Sequence, residues 1–183
     1  MRDRDLEALL ARYVPGDDSE RAFLARMREL ARLERSCERS SFAPGHFTAS
    51  AFVLSPERDA LLLVFHTKLR IWVQPGGHVE PSDENLERAA EREVEEETGV
   101  RGLVRTSESA ALFDLDIHAI PPWKLEPAHE HFDVRFAFIA PSRTLAVSDE
   151  LDAARWVPFA DVERANSDRS VLRAAQKLVA SLR

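Results

Sequence analysis

The residues best suited to chemistry form a run of glutamates, Glu-Arg-Glu-Val-Glu-Glu-Glu, at positions 91–97. If this run is helical, Glu93, Glu96 and Glu97 stand at i, i+3 and i+4 and share one face. Like charges at this spacing weaken a helix by about 0.2–0.5 kcal/mol per pair, so a bound cation would relieve them. Magnesium prefers carboxylate and phosphate oxygens. Alone, the run is more typical of an ordinary solvated helix face. The strand and the Pro-Gly-Gly turn that precede it favour a magnesium site for a diphosphate instead.

The glutamates must be positioned by a helix, which the sequence predicts over Leu86–Thr98. Asn85 is a suitable N-cap and Gly99 a suitable end of the helix. Leu86, Ala90 and Val94 form an apolar stripe roughly opposite the glutamates. A short strand at Ile71–Val73 and a tight turn at residues 75–77, Pro-Gly-Gly, precede this helix. Glycine lets backbone approach a metal or phosphate without a Cβ in the way.

The first 40 residues predict two helices that precede the rest of the domain. The first helix ends at Pro15-Gly16, and Asp17 with Glu20 resembles a capping box at the start of the second. We expect this extension to pack on the domain or on a second subunit.

Strands and one more helix account for the remaining chain. Predicted strands are 46–54 and 60–67, which form a hairpin, then 110–118, 131–139 and 155–157. An amphipathic helix over 167–182 directs Val171, Leu172, Ala175, Leu178, Val179 and Leu182 inward. The irregular order of strands and helices predicts an α/β protein with a mixed sheet between helices.

Composition excludes several function classes. The formal net charge of −7 argues against a nucleic-acid polymer or an anionic membrane as partner. No segment approaches the roughly 20 apolar residues that span a bilayer. Cys37 is the only cysteine, so neither an intrachain disulfide nor a cysteine zinc set is possible. We expect a cytoplasmic protein.

Residues 77–100 resemble the box that defines the Nudix family. Gly77 is followed by six residues, Glu84, seven residues and then Arg-Glu-Val-Glu-Glu-Glu-Thr-Gly-Val from Arg92 to Val100. The family signature has five residues rather than six after its first glycine. From Glu84 onward the match is complete, so the resemblance is specific.

The resemblance implies a Nudix-type α/β/α sandwich at 41–183, preceded by the helical extension at 1–40. It also implies Mg²⁺, or Mn²⁺, and hydrolysis of a diphosphate linkage in a small nucleoside diphosphate derivative. The implied metal ligands are three carboxylates and one backbone carbonyl: Glu93, Glu96, Glu97 and Gly76. Arg92 would orient a glutamate, and Glu150, in an acidic loop before the Trp-containing strand, is a candidate metal ligand or general base. A homodimer is common in the family.

Histidines and a tryptophan are candidates for substrate contacts. If the strand is extended, His129, His131 and Asp133 point to one side, opposite Phe132. They predict substrate contacts or a second metal site, with a polar sheet face or pocket rim as the favoured alternative. His78 lies beside the glycine turn, and Trp123 in a proline-rich loop is suited to stacking on a base.

Two other functions remain open at this point. Isopentenyl-diphosphate isomerase shares the Nudix fold but needs a catalytic cysteine, and Cys37 lies in the helical extension. A nucleotide-sensing module without catalysis usually loses the glutamates, which are present here.

Overall fold

A computed structural model describes residues 3–67, 69–106, 112–146 and 153–182. Its helices are α1 (Asp3–Arg12), α2 (Asp18–Leu30), α3 (Leu86–Thr98) and α4 (Arg169–Ser181), with a short 3₁₀ helix at Phe159–Arg164. Its strands are β1 (Gly45–Leu54), β2 (Ala60–His66), β3 (Ile71–Val73), β4 (Gly76–His78), β5 (Val104–Arg105), β6 (Asp114–Ile120), β7 (His129–Ile139) and β8 (Ala154–Pro158). This mixture of strands and helices confirms the predicted α/β class.

The strands form one sheet in the order β3-β2-β1-β7-β5, with β4 paired to β1, β6 to β7 and β8 to β2. Contacts divide the chain into two compact units. The first unit contains Met1–Ser50, Gly77–Ala90 and Glu108–Phe136, and the second contains Ala51–Gly76, Glu91–Ser107 and Ala137–Arg183. Both β1 and β7 run through the two units. The boundary predicted between residues 40 and 41 stays a prediction.

The first unit contains the helical extension. Helix α2 packs against α1 and against β6, which places the extension on the sheet as expected. The buried side chains that the two helices contribute are mainly apolar: Leu6, Leu10, Leu24, Met27 and Leu30. Burial of such side chains is the main stabilising contribution of short amphipathic helices.

The predicted N-cap of α2 is confirmed, but the capping box differs from the usual form. The Asp17 carboxylate accepts a hydrogen bond from the Glu20 N–H at 2.7 Å. The Glu20 carboxylate is buried and accepts from the Tyr13 hydroxyl and from the Gly16 N–H, both at 2.7 Å. Glu20 therefore ties α2 to the chain that follows α1.

Substitution Asp17→Ala should lower the free energy of unfolding by about 1 kcal/mol, because the first turn of α2 loses its side-chain acceptor. Urea unfolding followed by circular dichroism would measure the change. Asp18→Ala is the matched control, since Asp18 is exposed and pairs with the exposed Arg21. Equal losses in the two variants would contradict the capping role.

In the second unit, β2 lies between β3 and β8 and is antiparallel to both. The buried residues of α4 are Val171, Ala174, Ala175 and Leu178. The inward placement predicted for Leu182 is wrong: this residue is 36% exposed, because the helix ends at Ser181.

Two further predictions differ from the structure. Residues 76–78 form β4, paired to β1, instead of continuing a tight turn from Pro75. Gly76 has a φ of 158°, which is extended backbone, so the glycines continue a strand. The strand predicted from residue 110 begins at Asp114, and 107–111 lie outside the described residues. Within the described part of the chain, every helix is too short or too polar to cross a membrane.

Candidate functional site

The predicted carboxylate face lies on the second half of α3, within the second unit. The Glu93 side chain is 15% exposed and the Glu96 side chain 56% exposed. Glu97 is partly buried, and its carboxylate accepts a hydrogen bond from the Gly76 N–H at 3.1 Å. We call Glu93, Glu96 and Glu97 the carboxylate face. We call residues 75–77, Pro-Gly-Gly, the glycine segment. The carboxylate face contacts this segment through Gly76.

The environment of Glu97 disfavours negative charge on its carboxyl group. Burial raises the pKa of its carboxyl to about 8, and the neighbouring charges of Glu93 and Glu96 raise it as well, against the hydrogen bond from Gly76. A carboxyl with such a pKa holds a proton near neutral pH unless a cation replaces it. The arrangement therefore has the electrostatic character of a cation site.

This pKa predicts a pH dependence of stability in the metal-free protein. The unfolded chain releases the Glu97 proton near pH 4.5, whereas the folded protein keeps it to about pH 8. The contribution of Glu97 to stability is therefore present below pH 4.5 and is lost as the pH rises through about 8. Denaturant unfolding in EDTA between pH 5 and 9 should show a steeper fall in wild type than in Glu97→Gln. Identical slopes would contradict the assignment.

Arg92 organises two members of the carboxylate face. Its Nη1 donates to Glu93 Oε1 and to Glu96 Oε2, both at 2.9 Å, and its side chain is 20% exposed. A guanidinium between two carboxylates fixes their orientation through charge-assisted hydrogen bonds. Glu95, in contrast, pairs with Arg101 at 2.8 Å.

The donor chemistry of the carboxylate face fits Mg²⁺ or Mn²⁺. All its side-chain donors are carboxylate oxygens, which hard divalent ions prefer, and their mutual repulsion raises the pKa of Glu97. The contacts of Gly76 involve its N–H, so a role for its carbonyl stays a prediction. Glu150 lies outside the described residues, and its role stays a prediction as well.

Local sequence explains why α3 begins and ends where predicted. Asn85 Oδ1 accepts from the Arg88 N–H at 3.0 Å, as an N-cap does. Gly99 has a φ of +72°, and its N–H donates to the Glu95 carbonyl at 2.8 Å. A Cβ on Gly99 would lie 2.7 Å from Ala146 Cβ, so both backbone conformation and space require glycine.

The segment with the additional residue of the box contains a tight turn. The Asp83 N–H donates to the Glu80 carbonyl at 3.0 Å, and Asp83 Oδ2 accepts from the Glu80 N–H at 2.8 Å. Asp83 is buried, whereas Glu84 is exposed. The turn accommodates the longer loop without changing the spacing of the glutamates along α3.

Histidines gather in the first unit. The His46 ring centroid lies 5.1 Å from that of His78, 5.2 Å from that of His129 and 4.9 Å from that of His131. We call these four residues the histidine cluster. Burial, together with neighbouring histidines, lowers the pKa of His78 to about 4 and strongly lowers the pKa of His131. Sequence analysis predicts roles for His78, His129 and His131, and His46 lies beside them in the structure.

Gly45 explains how His46 reaches the cluster. A Cβ on Gly45 would lie 1.8 Å from the carbonyl oxygen of Glu130, so only glycine permits this approach between β1 and β7. The Glu130 N–H also donates to the Pro44 carbonyl at 3.0 Å. The sequence signal for this approach was the glycine directly before His46. The sequence alone does not reveal that β7 is the strand that lies opposite Gly45.

A buried ionic network in the first unit was also missed. Arg135 is 1% exposed and contacts three buried carboxylates: Asp133 at 2.8 Å, Asp114 at 3.2 Å and Asp116 at 3.3 Å. The strand register explains it, because Asp114 lies opposite Arg135 and Asp116 lies opposite Asp133. This face of β7 is buried at Asp133 and Arg135, and the roles of His129 and His131 stay predictions.

Trp123, the predicted stacking residue, is 53% exposed and forms an isolated bridge with Glu126. Lys124 Nζ lies 5.9 Å from the centroid of the Trp123 ring, and the stacking role stays a prediction. Cys37 lies in the turns after α2 and outside the strands, which does not favour an isomerase-like cysteine.

Comparison with known proteins agrees with this geometry. A family model described as the NUDIX domain matches residues 44–175. Nudix hydrolase 19, chloroplastic, from Arabidopsis thaliana is 30% identical over 118 residues, which are 62% of this chain and 24% of that protein. The chain therefore spans about a quarter of the length of that relative.

Solved structures give the same result for the fold. A NUDIX-family hydrolase from Clostridium perfringens superposes with a TM-score of 0.57 and 26% identity, covering 75% of this chain and 98% of that one. The Ap4A hydrolase of C. elegans, in a binary complex, superposes with a TM-score of 0.55 and 18% identity. The superposition covers 74% of this chain and 96% of that one. The predicted Nudix-type architecture is thereby confirmed. Because the family model covers most of the chain and includes α3 with its carboxylate face, the protein belongs to the Nudix family.

Proposed function

We propose that this protein hydrolyses a diphosphate linkage in a small nucleoside diphosphate derivative, using the carboxylate face of α3. The observation that carries the proposal is the buried, hydrogen-bonded carboxylate of Glu97 beside Glu93 and Glu96. Membership in a hydrolase family and the carboxylate oxygens of this face both support it. The fold likeness to an Ap4A hydrolase is consistent with a nucleotide substrate.

Glu93, Glu96 and Glu97 would hold Mg²⁺ or Mn²⁺. When bound, such an ion neutralises phosphate charge and lowers the pKa of a coordinated water. The formal net charge of the protein is −7, so it repels an anionic substrate. Bound cations would offset this repulsion at the site.

The carboxylates and Arg92 would have separate roles in orienting the ligand oxygens and in accepting a proton. Glu97 is fixed by the Gly76 N–H, so its carboxylate presents one defined oxygen toward a ligand. Arg92 holds Glu93 and Glu96 in one orientation and limits their loss of conformational freedom on binding. A glutamate of this face or Glu150 would accept the proton of the attacking water.

Substrate contacts belong to the same proposal. Trp123 has the exposed ring that stacking on a base requires. His78, next to the glycine segment, is suited to a phosphate or sugar oxygen. His129 and His131 are candidates of the same kind, although His129 is largely buried.

The proposal is tested by incubating the full chain with nucleoside di- and triphosphates, dinucleoside polyphosphates and nucleotide sugars, with Mg²⁺, Mn²⁺ or EDTA. Chromatography would follow nucleotide products. We expect turnover of one substrate class that requires the cation. Tight cation-dependent binding of a nucleotide with no product in any reaction would overturn hydrolysis and favour a sensor.

A further inference from the structure

We propose that His46, His129 and His131 are the ligands of a Zn²⁺-binding site. The site uses none of the residues of the carboxylate face. It lies in the first unit, at the start of β1 and the start of β7.

The three histidines have the spacing of a ligand set. One ring nitrogen from each lies within 4.8 Å of the other two. Zn–N bonds of about 2.0–2.1 Å at tetrahedral angles place ligand nitrogens about 3.3–3.4 Å apart. Binding therefore requires the ring nitrogens to adjust to that separation. The short approach of β1 to β7 at Gly45 keeps the two strands close together.

Hydrogen bonds at the far side of two rings set the tautomer that a metal requires. His46 Nδ1 lies 3.0 Å from the Ser41 carbonyl oxygen, and His129 Nδ1 lies 2.8 Å from the Pro127 carbonyl oxygen. A carbonyl only accepts, so each Nδ1 carries the proton and each Nε2 presents a lone pair. Metal-binding histidines typically donate their other ring N–H in this way.

Two ring nitrogens of the proposed site lack the partners that buried polar atoms normally have. Among the residues that the structure describes, none forms a hydrogen bond with the buried His46 Nε2 or His131 Nε2, and His46 is fully buried as a residue. Native proteins rarely leave such atoms unpaired, and a bound ion is one of the established explanations. A shared cation satisfies both atoms at once.

Ligand chemistry selects the ion. Imidazole nitrogen suits Zn²⁺, Cu²⁺ and Ni²⁺, whereas Mg²⁺ prefers oxygen. Three protein nitrogens leave one tetrahedral position for water or another ligand. The centroid of the His78 ring lies 5.1 Å from the ring centroids of both His46 and His131.

The test is calorimetric titration of Zn²⁺ into the chelator-treated full chain, in excess Mg²⁺, which occupies oxygen sites. We expect one equivalent to bind tightly to wild type. His46→Gln, His129→Gln and His131→Gln should each weaken it by at least about 100-fold, since loss of a ligand costs at least as much as loss of its supporting contact. His118→Gln is the matched control, because His118 lies opposite His131 on β6 but is not among the three ligands.

Wild-type affinity in the three variants, or Zn²⁺ binding that is lost in Glu97→Gln, would overturn the proposal. X-ray absorption at the zinc edge of the wild-type complex needs no variant. It should give imidazole nitrogens at about 2.0–2.1 Å, and a shell dominated by oxygen would contradict the site. Neither measurement depends on hydrolysis, so failure of this proposal and failure of the proposed hydrolase function are distinguishable.

Discussion

Substitution Glu97→Gln is expected to reduce kcat by about 10²–10⁴-fold on any substrate the protein hydrolyses. The amide preserves shape but removes the charge that would bind the cation or accept a proton. The loss should appear with saturating Mg²⁺ and substrate, measured as initial rates of product formation.

Glu95→Gln is the matched control on the same helix. Glu95 is exposed and pairs with Arg101, away from the carboxylate face, so its loss should change the rate little. Glu97→Gln should also unfold at the same or higher denaturant concentration than wild type in EDTA, because it removes a buried, repelled carboxyl. Equal activity in both variants would remove Glu97 from the mechanism, whereas loss of fold in Glu97→Gln would assign it a structural role.

Substitution Arg135→Met should be the most destabilising single change, lowering the free energy of unfolding by about 3–5 kcal/mol. Three carboxylates buried around Arg135 would lose its charge and its hydrogen bonds. Thr48 and Ser50 still donate to Asp133, at 3.2 Å and 2.7 Å, but they are neutral. Urea unfolding would measure the loss.

A double-mutant cycle separates this charge effect from packing. Asp133→Asn in the Arg135→Met background should recover part of the stability, with a coupling above about 1 kcal/mol between the two positions. Arg164→Met, at a side chain that is 84% exposed, should change stability by less than about 0.5 kcal/mol. Additive effects of Asp133→Asn and Arg135→Met would contradict a coupled network.

Local signals in the sequence were sufficient to predict where α3 begins and ends. Its bounds match the prediction at both ends because Asn85 and Gly99 determine them by contacts within a few residues. The spacing of the glutamates then follows from helical geometry alone. For that reason the carboxylate face could be predicted without knowledge of the rest of the fold, whereas the hydrogen bond from the Gly76 N–H to Glu97 depends on tertiary structure.

Features that depend on strand register could not be predicted. Asp114 and Arg135 are 21 residues apart and meet only because β6 and β7 pair in one register. His46 joins His129 and His131 through the approach of β1 to β7. A one-residue change of register would turn these side chains to the opposite face, and composition does not specify it.

The secondary structure of the glycine segment could not be predicted from its composition. Pro75-Gly76-Gly77 has the composition of a turn, yet Gly76 continues into β4. Its N–H donates to Glu97 Oε2, a partner 21 residues away. Glycine's freedom permits a turn or a strand equally, and tertiary pairing decides between them.

In the proposed reaction, water attacks phosphorus of a diphosphate at the carboxylate face and a divalent cation is required. Turnover of the best substrate in ¹⁸O-labelled water with Mg²⁺, followed by mass spectrometry of each phosphate product, tests this reaction. We expect one ¹⁸O atom in one of the two phosphate fragments, and no product in EDTA. Unlabelled phosphate fragments, or labelled product formed equally in EDTA, would contradict it.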